Sequence, residues 1–79
     1  MRDDRFSDPP AFTAELRVIL MTNRISQARL AREAGMDRHR VNHYLRGRRT
    51  PELATMLRLD DALLRILHQR TRIRRRVVT

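Results

Sequence analysis

The sequence predicts an all-α fold, a compact domain of four to five short helices. Three observations carry that prediction. Leu, Ala, Arg and Met, all good helix formers, dominate the chain, whereas Phe6, Phe12 and Tyr44 are its only aromatic residues. Apolar residues recur three and four apart through most of the length. Helix-starting residues (Ser26, Asp37, Thr50) also take turns with helix-ending glycines (Gly35, Gly47). The 79 residues amount to one small domain. Without cysteine, neither a disulfide nor a thiolate-bound metal can staple it. Its stability must come from a helical core, aided where the chain dimerises by the partner copy.

Residues 1–8 are polar and read as a flexible N-terminus. Ser7 or Asp8, followed by Pro9 and Pro10, opens a helix, because proline suits the first helical turn. Phe12, Leu16, Ile19 and Leu20 place this first helix at about residues 10–22. Ser26 caps a second helix from Gln27 to Ala34, which buries Leu30, Ala31 and Ala34. Gly35 ends it, since glycine adopts the left-handed conformation at little cost. Asp37 caps a third helix from Arg38 to Arg46, with Val41, Tyr44 and Leu45 facing inward. After Gly47, residues Arg48, Arg49 and Thr50 form a basic loop. Thr50, Pro51 and Glu52 then open a fourth helix carrying Leu53, Met56, Leu57 and Leu59.

Asp60 interrupts this pattern. On a continuous helix it would lie in the middle of the apolar face, where an unpaired carboxylate is costly. Either it pairs with an arginine, or the helix breaks and Asp60 caps a fifth one; the reading adopted is the break. Leu63, Leu64, Ile66 and Leu67 resume the apolar repeat. The domain is therefore set at residues 9–69, with a basic tail over 70–79. In the tail, Thr71, Arg72, Ile73 and Arg74 alternate as a strand would, and a basic arm without regular structure is an equal reading.

The formal net charge is +9, and every basic residue apart from histidine is arginine. Such an excess on a small domain points to a polyanionic partner, nucleic acid first and a membrane surface second. No apolar run is long enough to span a bilayer. Asp3, Asp4 and Asp8 do not fit the basic-then-apolar layout of a signal peptide, so a cytoplasmic, nucleoid-associated location is expected. His39 and His43 have the spacing of a helical zinc pair, but no glutamate lies between them in the metalloprotease position and no third ligand is near. No metal or cofactor is expected. The sequence carries no nucleophile–base pair, carboxylate pair or glycine-rich phosphate loop, so it does not read as an enzyme.

The stretch from Ser26 to Tyr44 meets a set of joint requirements. Two short helices that cross at a tight turn need a small residue at the crossing (Ala31) and a residue able to reverse the chain (Gly35). They also need an apolar wedge, supplied by Leu30, Ala34, Met36, Val41 and Tyr44. This stretch, with the Tyr44-Leu45-x-Gly47-x-x-x-Pro51 run and the leucine-rich helix after it, resembles the Cro/repressor-type helix-turn-helix of the XRE family over about residues 12–64. The resemblance implies a lambda-repressor-like domain that binds operators as a dimer. Two departures stand out. The family usually has a small apolar residue where this chain has Asp60. It also often has glycine soon after the position of Leu63, where this chain runs on as Leu64-Arg65-Ile66-Leu67.

In such a motif the start of the second motif helix reads base edges. The resemblance assigns this role to Arg38, His39, Asn42 and His43, with guanine suited to Arg38. Gln27, Arg40, Arg46, Arg48 and Arg49 are expected on phosphates, Gln27 because a helix N-terminus favours an anion. Arg5, Arg17 and Arg58 read as ordinary surface. The apolar arc from Leu53 to Leu67 covers about half of its helix, wider than the roughly 100° stripe a small monomer needs. Leu59, Leu63 and Ile66 are therefore expected to form a homodimer interface.

The function expected is a sequence-specific regulator of transcription that binds double-stranded DNA, a repressor acting as a homodimer on an inverted repeat. An antitoxin-type partner of a toxin is one alternative. A non-specific basic nucleic-acid binder is another, although stacking aromatics are scarce. A membrane-surface helix over residues 53–76 would explain less of the chain.

Overall fold

The computed structural model describes residues 5–78, with side chains over residues 5–70. Four helices follow one another: α1 (Pro9–Thr22), α2 (Gln27–Ala34), α3 (Arg38–Leu45) and α4 (Leu53–Val78). Expected caps start the first three, whereas α4 begins at Leu53, three residues past Thr50. The side chain of Asp8 accepts the Ala11 N–H at 3.3 Å, Ser26 that of Arg29 at 3.0 Å and Asp37 that of His39 at 3.3 Å.

One device ends all three. The N–H of Met36 donates to the Ala31 carbonyl and that of Gly35 to Arg32, the paired bonds of a Schellman motif. Arg48 and Gly47 repeat it on His43 and Tyr44, and Ile25 and Arg24 on Leu20 and Met21. The reversing residue has positive φ each time: 69° at Gly35, 77° at Gly47 and 55° at Arg24. The first two are glycines, as the sequence predicts. Arg24 takes the same conformation with a Cβ, which is strained.

The core joins Phe12, Leu16 and Leu20 of α1 to Leu30, Ala31 and Ala34 of α2, Val41, Tyr44 and Leu45 of α3, and Met56, Leu59, Ala62, Leu63 and Ile66 of α4. α4 packs chiefly against α2. Each large side chain removed from water in this way contributes about 1.5–3 kcal/mol.

Several expectations are corrected. α4 does not break at Asp60, and no fifth helix forms among the described residues. Asp60 instead accepts from Arg5 at 3.0 Å, so the half-buried carboxylate is balanced by a cation from the far end of the chain. Arg5 is accordingly not ordinary surface. It also pairs with Glu15 at 3.1 Å and lies 5.2 and 5.5 Å from the ring centroids of Phe6 and Phe12. Phe6 packs on the core, 5.6 Å from Phe12, so the N-terminal segment is anchored there; residues 1–4 of the expected flexible stretch lie outside the described residues. The tail is neither strand nor arm, because α4 continues through it to Val78.

Leu59, Leu63 and Ile66 are 0%, 3% and 0% exposed, so they are core residues and do not form the homodimer interface expected of them. Their apolar surface is not surplus. α4 is covered by α2 and is also tied to the N-terminal segment and to the end of α1, which accounts for its wide apolar arc.

Three arginines hold helix ends from outside. Arg17 of α1 donates to the Leu45 carbonyl of α3 at 2.5 Å. Arg65 of α4 reaches the Glu33 carbonyl of α2 at 2.9 Å, with its Nε on the Glu33 carboxylate at 3.1 Å. Arg70 of α4 donates to the carbonyls of Asn23 and Arg24 just past α1. Each brings a cation to the negative end of a helix dipole and satisfies a carbonyl there. Arg17, read from the sequence as surface, is one of these clamps.

Candidate nucleic-acid interface

The interface is built by the α2–turn–α3 unit. Ser26 and Asp37 set where the two helices begin, and Gly35 reverses the chain between them. Buried Leu30, Ala31, Ala34, Val41, Tyr44 and Leu45 then press one side of each helix into the core. What remains outward on α3 is polar and basic. Arg38, His39 and Arg40 are exposed, while Asn42 and His43 are half-buried.

Ser26, Gln27 and Ala28 at the start of α2 face Arg38, His39 and Asn42 across a shallow cleft. The Asn42 amide donates to the Gln27 side-chain carbonyl at 2.9 Å. This bond turns the Gln27 NH₂ away from Asn42, free to donate elsewhere. It also leaves Asn42 its own oxygen and one N–H. The first amides of α2 open on the same cleft, a position that favours an anion.

The remaining basic residues form a second group. Arg40 lies along α3, its guanidinium 5.9 Å from the Tyr44 ring centroid. Arg46, Arg48 and Arg49 follow the helix, exposed on the turn around Gly47. Arg49 lines a second depression with Thr13, Arg17, Tyr44 and Pro51. Between Arg38 and Pro51 there are five arginines and no acidic residue. Among the described residues, the side chains of Arg38, Arg46, Arg48 and Arg49 have no hydrogen-bond or ion-pair partner, and the ion pairs that do form are those of Arg5 and Arg65.

Of the residues singled out in the sequence, Gln27, Arg38, His39 and Asn42 thus meet around one cleft. His43 lies one turn on, and Arg40, Arg46, Arg48 and Arg49 flank them. The link between Gln27 and Asn42 is one that sequence reasoning misses. Its signal is two amide side chains placed where the crossing of α2 and α3 brings them together, legible only once that crossing is known.

A pair of short helices joined by a glycine turn, with an apolar inner side and a basic outer one, defines a helix-turn-helix unit. Residues 11–66 match the family model of the helix-turn-helix domain, and the chain belongs to that DNA-binding family. No curated protein and no solved structure matches it. No helix among the described residues is long and apolar enough to cross a membrane.

Proposed function

We propose that this chain is a sequence-specific transcriptional regulator of the Cro/repressor (XRE) type, acting as a repressor on duplex DNA in the cytoplasm. One observation carries the reading: α3 presents an outward row of polar and basic side chains with no acidic residue among them and with the exposed Arg38 at its first position. Arg38, His39, Asn42 and His43 would meet base edges in the major groove, Arg38 on a guanine. Gln27, Arg40, Arg46, Arg48 and Arg49 would hold phosphates and set the register.

A homodimer on an inverted repeat belongs to the same proposal, with its surface moved outward on α4. Leu57 and Leu64 are 45% and 55% exposed and lie two turns apart, with Asp61 between them and His68 beyond. An antiparallel crossing near Leu64 would set Asp61 of one copy against His68 of the other.

Repeated selection from random duplex DNA at moderate salt tests this reading. The expected product is an inverted repeat with half-site centres about one helical turn apart and guanine opposite Arg38. Binding without enrichment that vanishes as salt rises would reduce the function to charge-driven association.

A further inference from the structure

Arg70 is where the last described side chain of α4 meets the body of the domain. Its guanidinium holds the carbonyls of Asn23 and Arg24, in the turn that leads directly to Ser26 and the start of α2. One residue earlier, the Gln69 side-chain oxygen accepts from Arg29, in the first turn of α2, at 3.3 Å. α4 therefore passes the N-terminal end of α2, the same end that opens the cleft of Gln27, Arg38 and Asn42.

Beyond that point the helix runs on to Val78, about two further turns. Residues 71–79 hold Arg72, Arg74, Arg75 and Arg76 and no acid, and the last acidic residue of the chain is Asp61. Two independent observations thus coincide: a strongly basic helix end, and an exit from the body at the rim of the candidate interface.

We propose that the end of α4 is a second DNA-binding element, which takes the phosphodiester backbone flanking the base pairs that α3 contacts. This rests on the reading of α3 as the groove-binding helix. Binding of this kind adds affinity and salt dependence without sequence information, because phosphates are alike at every base pair.

The test compares the full chain with a variant combining Arg72→Gln, Arg74→Gln, Arg75→Gln and Arg76→Gln, which keeps helix propensity while removing the charge. Both are titrated on the duplex that the wild type enriches, made with and without about ten added base pairs at each end, over a range of salt. The wild type should gain affinity from the added flanks and the variant should not. The variant should select the same motif, bind at least about tenfold more weakly at low salt, and show a log–log salt slope shallower by about 0.9 for each phosphate it no longer neutralises.

Equal affinity and slope in the two proteins would overturn the proposal. So would a lower melting temperature with unchanged DNA binding, which would make the arginines a cap for their own helix. Loss of binding to phosphatidylserine vesicles with the DNA slope unchanged would equally overturn it in favour of a membrane surface. If the wild type enriched no motif while the variant still showed the shallower slope on mixed-sequence duplex, the second element would stand and the sequence-specific reading of α3 would fall.

Discussion

Four arginines of the N-terminal segment, α1 and α4 and those of α3 with its following loop are chemically identical, yet the fold puts them to opposite uses. Arg5, Arg17, Arg65 and Arg70 are turned inward onto carboxylates or helix-end carbonyls. Among the described residues, Arg38, Arg46, Arg48 and Arg49 have no such partner, because no acid lies between Arg38 and Pro51 and the carbonyls that end α3 are already taken by backbone amides and by Arg17. A net charge of +9 therefore does not describe an evenly sticky surface. Part of it is structural; of the rest, one group is gathered around α3 and another lies in residues 72–76. An arginine's meaning here depends on what else its neighbourhood offers to bind.

The division can be broken from either side. The largest effect is expected in the core that separates the two groups. Leu59→Ala should cost about 3 kcal/mol, read in urea titration as a midpoint lowered by the same amount at every protein concentration. Leu64→Ala, at an exposed site, should leave the monomer's stability within about 0.5 kcal/mol of wild type and weaken only self-association, seen as a smaller mass in light scattering. A concentration-dependent loss for Leu59→Ala would return that residue to an interface.

Next in size is Arg38→Ala. It should cost about 1–3 kcal/mol in specific DNA binding and relax the preference at one base position, with an unchanged melting temperature. Arg17→Met should do the reverse. Without the bond to the Leu45 carbonyl the fold should lose about 1 kcal/mol, while the selected DNA motif stays the same. If Arg17→Met altered the motif, or Arg38→Ala lowered the melting temperature, the two classes of arginine would not be separate.

The smallest effect expected is a gain. Arg24 holds a left-handed conformation whose other two occurrences are glycines. Arg24→Gly should raise stability by up to about 1 kcal/mol. Gly47→Ala should lower it by a similar amount, since an added Cβ meets nothing within 4 Å and only the backbone strain remains. Thermal melts of the two variants should move in opposite directions.

The helix-turn-helix is legible in the sequence because its signals are local. Caps, glycines and apolar spacing lie within a few residues of what they control, and α2 appears where Ser26 and Gly35 place it. Asp60 is not legible in the same way. Its partner Arg5 is 55 positions away, and no window on the sequence joins them. The dimer surface expected at Leu59, Leu63 and Ile66 fails for a related reason, since the apolar width a helix needs depends on how many neighbours cover it. In the tail, four alternating residues weigh little against a helix already running into them. In the candidate interface, the kinds of residue are readable from position alone, whereas the bond between Gln27 and Asn42 requires the crossing of α2 and α3.

The clamps from α4 onto the ends of α1 and α2 also bear on how the molecule opens. Arg65 and Arg70 place one helix across two others, and α4 packs chiefly against α2 through fully buried side chains such as Leu30, Leu59 and Ile66. Neither α2 nor the first turns of α4 can come away without uncovering the other. Amide hydrogens of α2 and of α4 up to Ile66 should therefore exchange together, through one cooperative opening. The α2–α3 pair is then not a separable module, and its folded unit reaches from Arg5 to Arg70.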